Sequence, residues 1–158
     1  MGFALSDIHL GSTAFGLGDP IPEKYSGEGE DVSPELTWSN TPKDSLSYAV
    51  ICHDPDAPLI TRNGNYGFVH WVYYNIPASV NHITEACEEY TCGITDFGKQ
   101  VYGGPMPPEG HGQHNYYFWI LALNKESDFP PGLTMYEFLE AAEPNIIGMN
   151  RLIGNYRR

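Results

Sequence analysis

Three short stretches of the chain concentrate the groups that can bind, polarise or transfer. The first is His53-Asp54-Pro55-Asp56-Ala57-Pro58, where two prolines fix φ and remove two backbone donors. Asp54 and Asp56 therefore sit in a stiff loop and cannot easily turn away from each other. The plain alternative is a turn whose Asp side chains accept loop N–H groups. The second stretch runs from Gly103 to Tyr116 and reads Gly-Gly-Pro-Met-Pro-Pro-Glu-Gly-His-Gly-Gln-His-Asn-Tyr. Its glycines permit close backbone approach and leave N–H groups to line a concavity for an anion, and its prolines lower the entropy lost on ordering. Such a loop either delivers His114 and Tyr116 to a binding rim or is a long connection with solvated histidines. The third is His70, an imidazole inside an otherwise apolar run. A solitary His there is ordinarily a core residue with one satisfied hydrogen bond. Convergence with Asp54 and His114 changes that, because a buried His beside Asp can be cationic near neutral pH and offer two donors to a phosphate.

These groups need strands to position them. Leu46 to Cys52 is a nearly continuous apolar run, as expected of a central strand covered on both faces. Val69 to Ile76 and Asn115 to Leu123 are two more strands, rich in β-branched and aromatic residues. The stretches between them predict loops rather than crossover helices, so the body is antiparallel and mainly β. Leu36-Thr37-Trp38 predicts a short strand, Phe3 to Ile8 an edge strand, and residues 11–34 a long surface loop. Only the tail predicts helix. Thr134 and Glu137 form a capping box, with Tyr136, Phe138 and Leu139 turned toward the sheet. Pro144 either ends that helix or starts a second, in which Ile146, Ile147, Met149, Leu152 and Ile153 make an apolar stripe. The expected fold is a β core with one or two C-terminal helices.

Composition narrows the function. A chain of 158 residues, 41% hydrophobic and 18% charged, suits one globular domain over residues 1–158. Its 11 Tyr, 17 Gly and 13 Pro favour strands joined by shaped loops. The net charge of −12 repels nucleic acid and anionic lipid at long range, so an anionic ligand must be held by local groups. That argues against a nucleic-acid binder. No run approaches the length of a membrane-spanning helix, and the N-terminus shows no basic-then-apolar signal. Of three Cys, Cys52 lies in an apolar run, while Cys87 and Cys92 bracket a polar loop and are either a local disulfide or two free thiols. Free thiols and a cytoplasmic location are the expectation, with a periplasmic or secreted protein left open.

The motifs resemble a known family. Asp-Pro-Asp-Ala-Pro at 54–58, the strand His70, and Gly-Gly-Pro…Pro-Pro…Gly-His-Gly…His…Tyr at 103–116 look like the two signature regions of the phosphatidylethanolamine-binding proteins, which include the Raf kinase inhibitor proteins. Ser33-Pro34-Glu35-Leu36-Thr37-Trp38 and Leu152-Ile153-Gly154-Asn155-Tyr156 resemble its early segment and its ending. The compact length and the Gly-His-Gly-x-His loop are most similar to the bacterial and archaeal branch.

The resemblance implies two packed antiparallel β-sheets with C-terminal helix, no cofactor and no metal. It also implies a shallow pocket for phosphate or a phosphoryl head group. Carried over by position, its wall is Asp54, Asp56, His70, Gly104, Pro105, Pro107, His114 and Tyr116, with Trp71 and Tyr116 as apolar surfaces. The implied role is a non-enzymatic binding or regulatory protein, acting on a small phosphorylated ligand or inhibiting a kinase or a protease; a homodimer is compatible with it.

Three places depart from the family pattern: Asn115 stands where a basic residue is common, Pro144-Asn145 where many relatives carry Gly-His, and Met106 where Pro or Cys is frequent. Losing the basic residue weakens anion binding or shifts it to lower pH. Two competing functions follow from the residues. One is a metal-dependent enzyme built on the His/Asp cluster, although the spacing matches no compact motif such as His-Glu-x-x-His. The other is a surface-only interaction protein with a vestigial pocket.

Overall fold

In a computed structural model, which describes residues 4–59 and 66–158, the chain forms β1 (His9–Gly11), β2 (Leu36–Ser39), β3 (Ser47–Asp54), β4 (Phe68–Pro77), β5 (His82–Ile83), β6 (Thr91–Cys92), β7 (His114–Leu123), helix α1 (Met135–Ala142) and β8 (Ile146–Tyr156). The strands make two antiparallel sheets, one in the order β1-β2-β5 and one in the order β6-β4-β3-β7-β8. The main strands fall where the apolar runs place them. The edge strand expected from Phe3 begins outside the described residues, and β1 forms only after Ile8.

Apolar side chains on the two faces of the five-stranded sheet feed two separate cores. Leu10 of β1, Trp38 of β2 and Ile83 of β5 pack with Val50, Cys52, Tyr73, Phe118 and Ile120 between the sheets. On the far side Ile51, Val72, Tyr74 and Leu121 meet Phe138 and Ala142 of α1. Both faces of β3 are therefore covered, which explains why its sequence is apolar without alternation. At about 25 cal/mol per Å² of apolar surface, burial on both sides anchors β3 together with its neighbours β4 and β7, which also feed both cores.

Thr134 caps α1 as its sequence predicts. Its hydroxyl accepts the Glu137 N–H, and the Glu137 carboxylate accepts the Thr134 N–H, both at 3.1 Å. Phe138 is fully buried beneath the helix, but Tyr136 turns outward and is exposed.

The expected second helix is instead β8, paired along β7 from His114↔Tyr156 to Leu123↔Ile146. Ala122 pairs with Gly148 and Leu123 with Ile146, so Ile147 is bulged out of the ladder. That extra residue breaks the period of two and makes the apolar positions mimic a helical stripe. A single 3-10 turn at Glu143–Asn145 links α1 to the strand.

Candidate ligand-binding site

Asp54 ends β3 and His114 begins β7, and the pairing of these strands brings the two side chains together. His114 Nδ1 lies 2.7 Å from Asp54 Oδ2, with both residues almost fully buried. A carboxylate can only accept, so the imidazole donates from Nδ1 and keeps Nε2 for another partner. The other Asp54 oxygen accepts the Asp56 N–H at 2.8 Å, closing the stiff turn that the two prolines prepare.

His70 reaches the same place through a bulge in β4. Cys52 pairs with Trp71 and His53 with Val69, so His70 has no partner of its own on β3. An inserted residue turns two successive side chains to one face. His70 and Trp71 accordingly both point toward the inter-sheet side, while Val69 and Val72 lie on the other. The His70 ring stands edge-on to Tyr116, with centroids 5.1 Å apart, and Tyr116 is stacked on His114 at 6.5 Å.

Together these residues form the polar end of a cleft of about 240 Å³. Leu59, Phe68, Phe97, Met106 and Pro108 line its apolar side. Neither Lys nor Arg lines it among the described residues. The Tyr116 hydroxyl at its floor is buried and has no hydrogen-bond partner among the described residues. Burial, with Asp54 as the next cause, pushes the phenol far up, so it stays protonated and available as a donor. A buried hydroxyl without a partner costs about 1–3 kcal/mol, and a ligand oxygen recovers that cost.

The state of His70 differs from the doubly donating cation that its sequence context suggests. Its Nδ1 donates to the Gly103 carbonyl at 2.7 Å. Burial lowers its pKa, and the Gly103 carbonyl only partly opposes that. At neutral pH the ring is uncharged, and the remaining nitrogen Nε2 is an acceptor. A ligand must offer it a proton.

Of the residues expected to form the wall, Asp54, His70, Pro107, His114 and Tyr116 meet in the cleft. Asp56, Trp71, Gly104 and Pro105 stand outside it. Asp56 binds the start of β7 instead, accepting the Asn115 backbone N–H at 2.8 Å and its side-chain amide at 3.0 Å. Asn115 thus fills the place of a basic residue by anchoring a loop. Trp71 lines a separate cleft with Tyr73, Tyr102 and the unpaired thiols of Cys87 and Cys92.

Gly104 and Pro105 serve packing. A Cβ at Gly104 would lie 2.0 Å from the Tyr25 carbonyl oxygen, and its N–H donates to Asp31 Oδ1. Gly103 N–H goes to the His70 carbonyl, and the Pro105 carbonyl accepts from Gly27. The Gly103 and Gly104 amides, expected to help hold an anion, are thus committed elsewhere. Among the described residues, no group of three His, Cys, Asp or Glu is placed to hold a metal ion.

Two contributors carry little advance signal. Phe97 comes from the loop after β6 and packs edge-on to Phe68 and His70, with nothing near it in sequence to flag it. His111, although not one of the residues lining the cleft, has Nδ1 2.6 Å from Nε2 of His114, which does line it. Its presence in the Gly-His-Gly run is the only hint.

Comparison with known proteins bears on this geometry. Residues 11–157 match the family model described as phosphatidylethanolamine-binding protein. A UPF0098 protein of Aquifex aeolicus is 37% identical over 154 residues, covering 93% of this chain and 86% of its own. Another from Methanothermobacter thermautotrophicus is 36% identical, covering 96% and 99%. A solved structure from Chlamydia trachomatis, described as a homologue of phosphatidylethanolamine-binding protein, superposes with a TM-score of 0.87 at 34% identity, covering 96% of this chain and 97% of that one. Escherichia coli YbcL, described as a member of the mammalian family, gives 0.87 at 27% identity, covering 97% and 99%. With two antiparallel sheets, one short helix near the C-terminus and matching relatives in bacteria and archaea over nearly the whole chain, this protein belongs to the phosphatidylethanolamine-binding protein family.

Proposed function

We propose that the protein binds, without turning over, a small ligand through a monoprotonated phosphoryl group held by His70, His114 and Tyr116. The observation that carries this reading is the buried Tyr116 hydroxyl, which lacks a partner on the floor of the cleft. The phenol donates to a phosphoryl oxygen, and a P–OH donates to neutral His70. A fully ionised phosphate has no proton for His70 and would face the Asp54 carboxylate without a Lys or Arg beside it. The apolar side of the cleft suits a short organic substituent and is too small for two acyl chains. Cys52 supports a binding role over covalent catalysis: it is fully buried, and burial raises its thiol well above the usual range. Inhibition of a kinase or a protease rests on family resemblance; on such a partner, the group this cleft recognises is a phosphorylated side chain.

The test is a titration with O-phosphorylethanolamine, following amide and imidazole NMR signals at about pH 6 and about pH 8, on either side of the second phosphate pKa near 6. Shifts at Asp54, His70, His114 and Tyr116, tighter at the lower pH, are expected. Their absence at millimolar ligand would leave the cleft vestigial and the protein's action on its surface. Tighter binding at the higher pH would overturn the protonation scheme.

A further inference from the structure

His114 has two ring nitrogens and both are taken. Nδ1 donates to Asp54, and Nε2 faces His111 Nδ1 at 2.6 Å. Whichever ring supplies the proton between them, one hydrogen bond exhausts Nε2. His114 therefore has nothing left for a ligand while His111 stays in place. Its own position is fixed, since its carboxylate partner is buried and its backbone is paired with Tyr156 of β8.

His111 is held far less firmly. Its side chain is exposed, and the rings of His111 and His114 meet edge-on, with centroids 4.9 Å apart. Gly110 and Gly112 flank it at φ 78° and 96°, and a Cβ on either would meet nothing within 4 Å. The local backbone is anchored by His111 N–H to the Pro108 carbonyl and by Gly110 N–H to the Arg158 carbonyl. Neither bond involves the imidazole. A rotation about the His111 side chain frees Nε2 without disturbing the loop.

We infer that His111 is an internal competitor for the ligand site, a side chain that occupies His114 Nε2 in the free protein and must swing out for a ligand oxygen to take its place. This rests on the phosphoryl-binding reading above and adds a specificity element to it. Ligands that gain only one hydrogen bond at His114 are held at a disadvantage, because they replace a bond already made. Ligands that also engage Tyr116 and His70 overcome it. His111 thus sets a threshold on how many polar contacts a ligand must offer.

Calorimetric titration of the wild-type protein, His111→Ala and His111→Phe with O-phosphorylethanolamine and with inorganic phosphate tests this, with an amide spectrum confirming that each variant is folded. His111→Ala is expected to bind roughly three- to tenfold more tightly, the worth of one hydrogen bond that no longer has to be broken. In the wild-type protein, saturation should also move the His111 imidazole nitrogen signals to those of a free ring. Weaker binding by His111→Ala would make His111 a ligand-contacting residue, and equal binding would make it a bystander; both overturn the inference while the phosphoryl reading stands. Failure of all three proteins to bind either probe would sink the phosphoryl reading and the competitor with it.

Discussion

Two clefts of nearly equal volume, about 260 and 240 Å³, open beside neighbouring strands of the same sheet, and both are walled by buried tyrosines. In the larger one every tyrosine hydroxyl on the buried wall is used. Tyr73 donates toward the Cys87 carbonyl and accepts the Tyr90 N–H at 2.9 Å, and Tyr102 donates to the Tyr25 carbonyl at 2.7 Å. In the smaller one Tyr116 has no partner among the described residues. Size and aromatic content do not separate these clefts. What separates them is hydrogen-bonding capacity left unspent, and the proposed phosphoryl site rests on that difference.

The contrast can be broken by mutation, and the largest effect is expected at Asp54. Its carboxylate fixes His114 and closes the 54–56 turn, so Asp54→Ala should destabilise the fold by about 3 kcal/mol in urea unfolding and abolish binding of the phosphoryl probe. Retention of wild-type stability would mean that the Asp54–His114 pair contributes nothing to the frame.

A pair of matched deletions sharpens the comparison further. Tyr73→Phe leaves the partly buried Tyr90 N–H without its acceptor and removes the buried Tyr73 hydroxyl's bond to Cys87, and should cost about 1–3 kcal/mol. Tyr116→Phe removes a hydroxyl with no partner to lose, so its unfolding midpoint should stay within about 0.5 kcal/mol of wild type or rise, while probe affinity falls. Equal losses in the two variants would erase the distinction between the clefts.

The smallest effect expected is a slope with pH. His70 titrates near 6.5 in the unfolded chain and lower in the folded one, because burial disfavours the cation. Between those two values the unfolded chain binds more protons, so stability rises with pH. The contribution is complete above about 6.5 and is lost as pH falls toward the lowered folded value. Unfolding midpoints compared across this window should show a shallower slope for His70→Gln than for wild type. An unchanged slope would mean that His70 is solvated or already charged.

Much of this frame is written in local patterns. Three strands show as apolar runs and the helix as a capping box, because each signal depends on a few adjacent residues. β8 does not, since the bulge at Ile147 and the close-packed Gly148 and Gly154 distort its period. At the site, Asp54, His70, His114 and Tyr116 are legible through the family motifs, whereas their sorting from Asp56 and Trp71 is not. Asp56 is drawn away by the Asn115 amide, and Trp71 by a bulge that sets it beside His70 but toward the other cleft. Phe97 arrives by tertiary packing alone. Motif identity survives in the chain, while the direction of a side chain depends on pairing partners many residues away.

The place of β3 between β4 and β7 also governs how the molecule assembles. The register Ser47↔Leu123 joins positions far apart in the chain, and a long loop must close before that contact repays its entropy. Until β7 arrives, Tyr48 to Cys52 presents an uncharged, apolar strand with one open edge, a template for pairing with another molecule. Slow, concentration-sensitive refolding is therefore the expected kinetic cost of a central strand so well protected once the sheet is complete, and refolding rates across a range of protein concentrations check it.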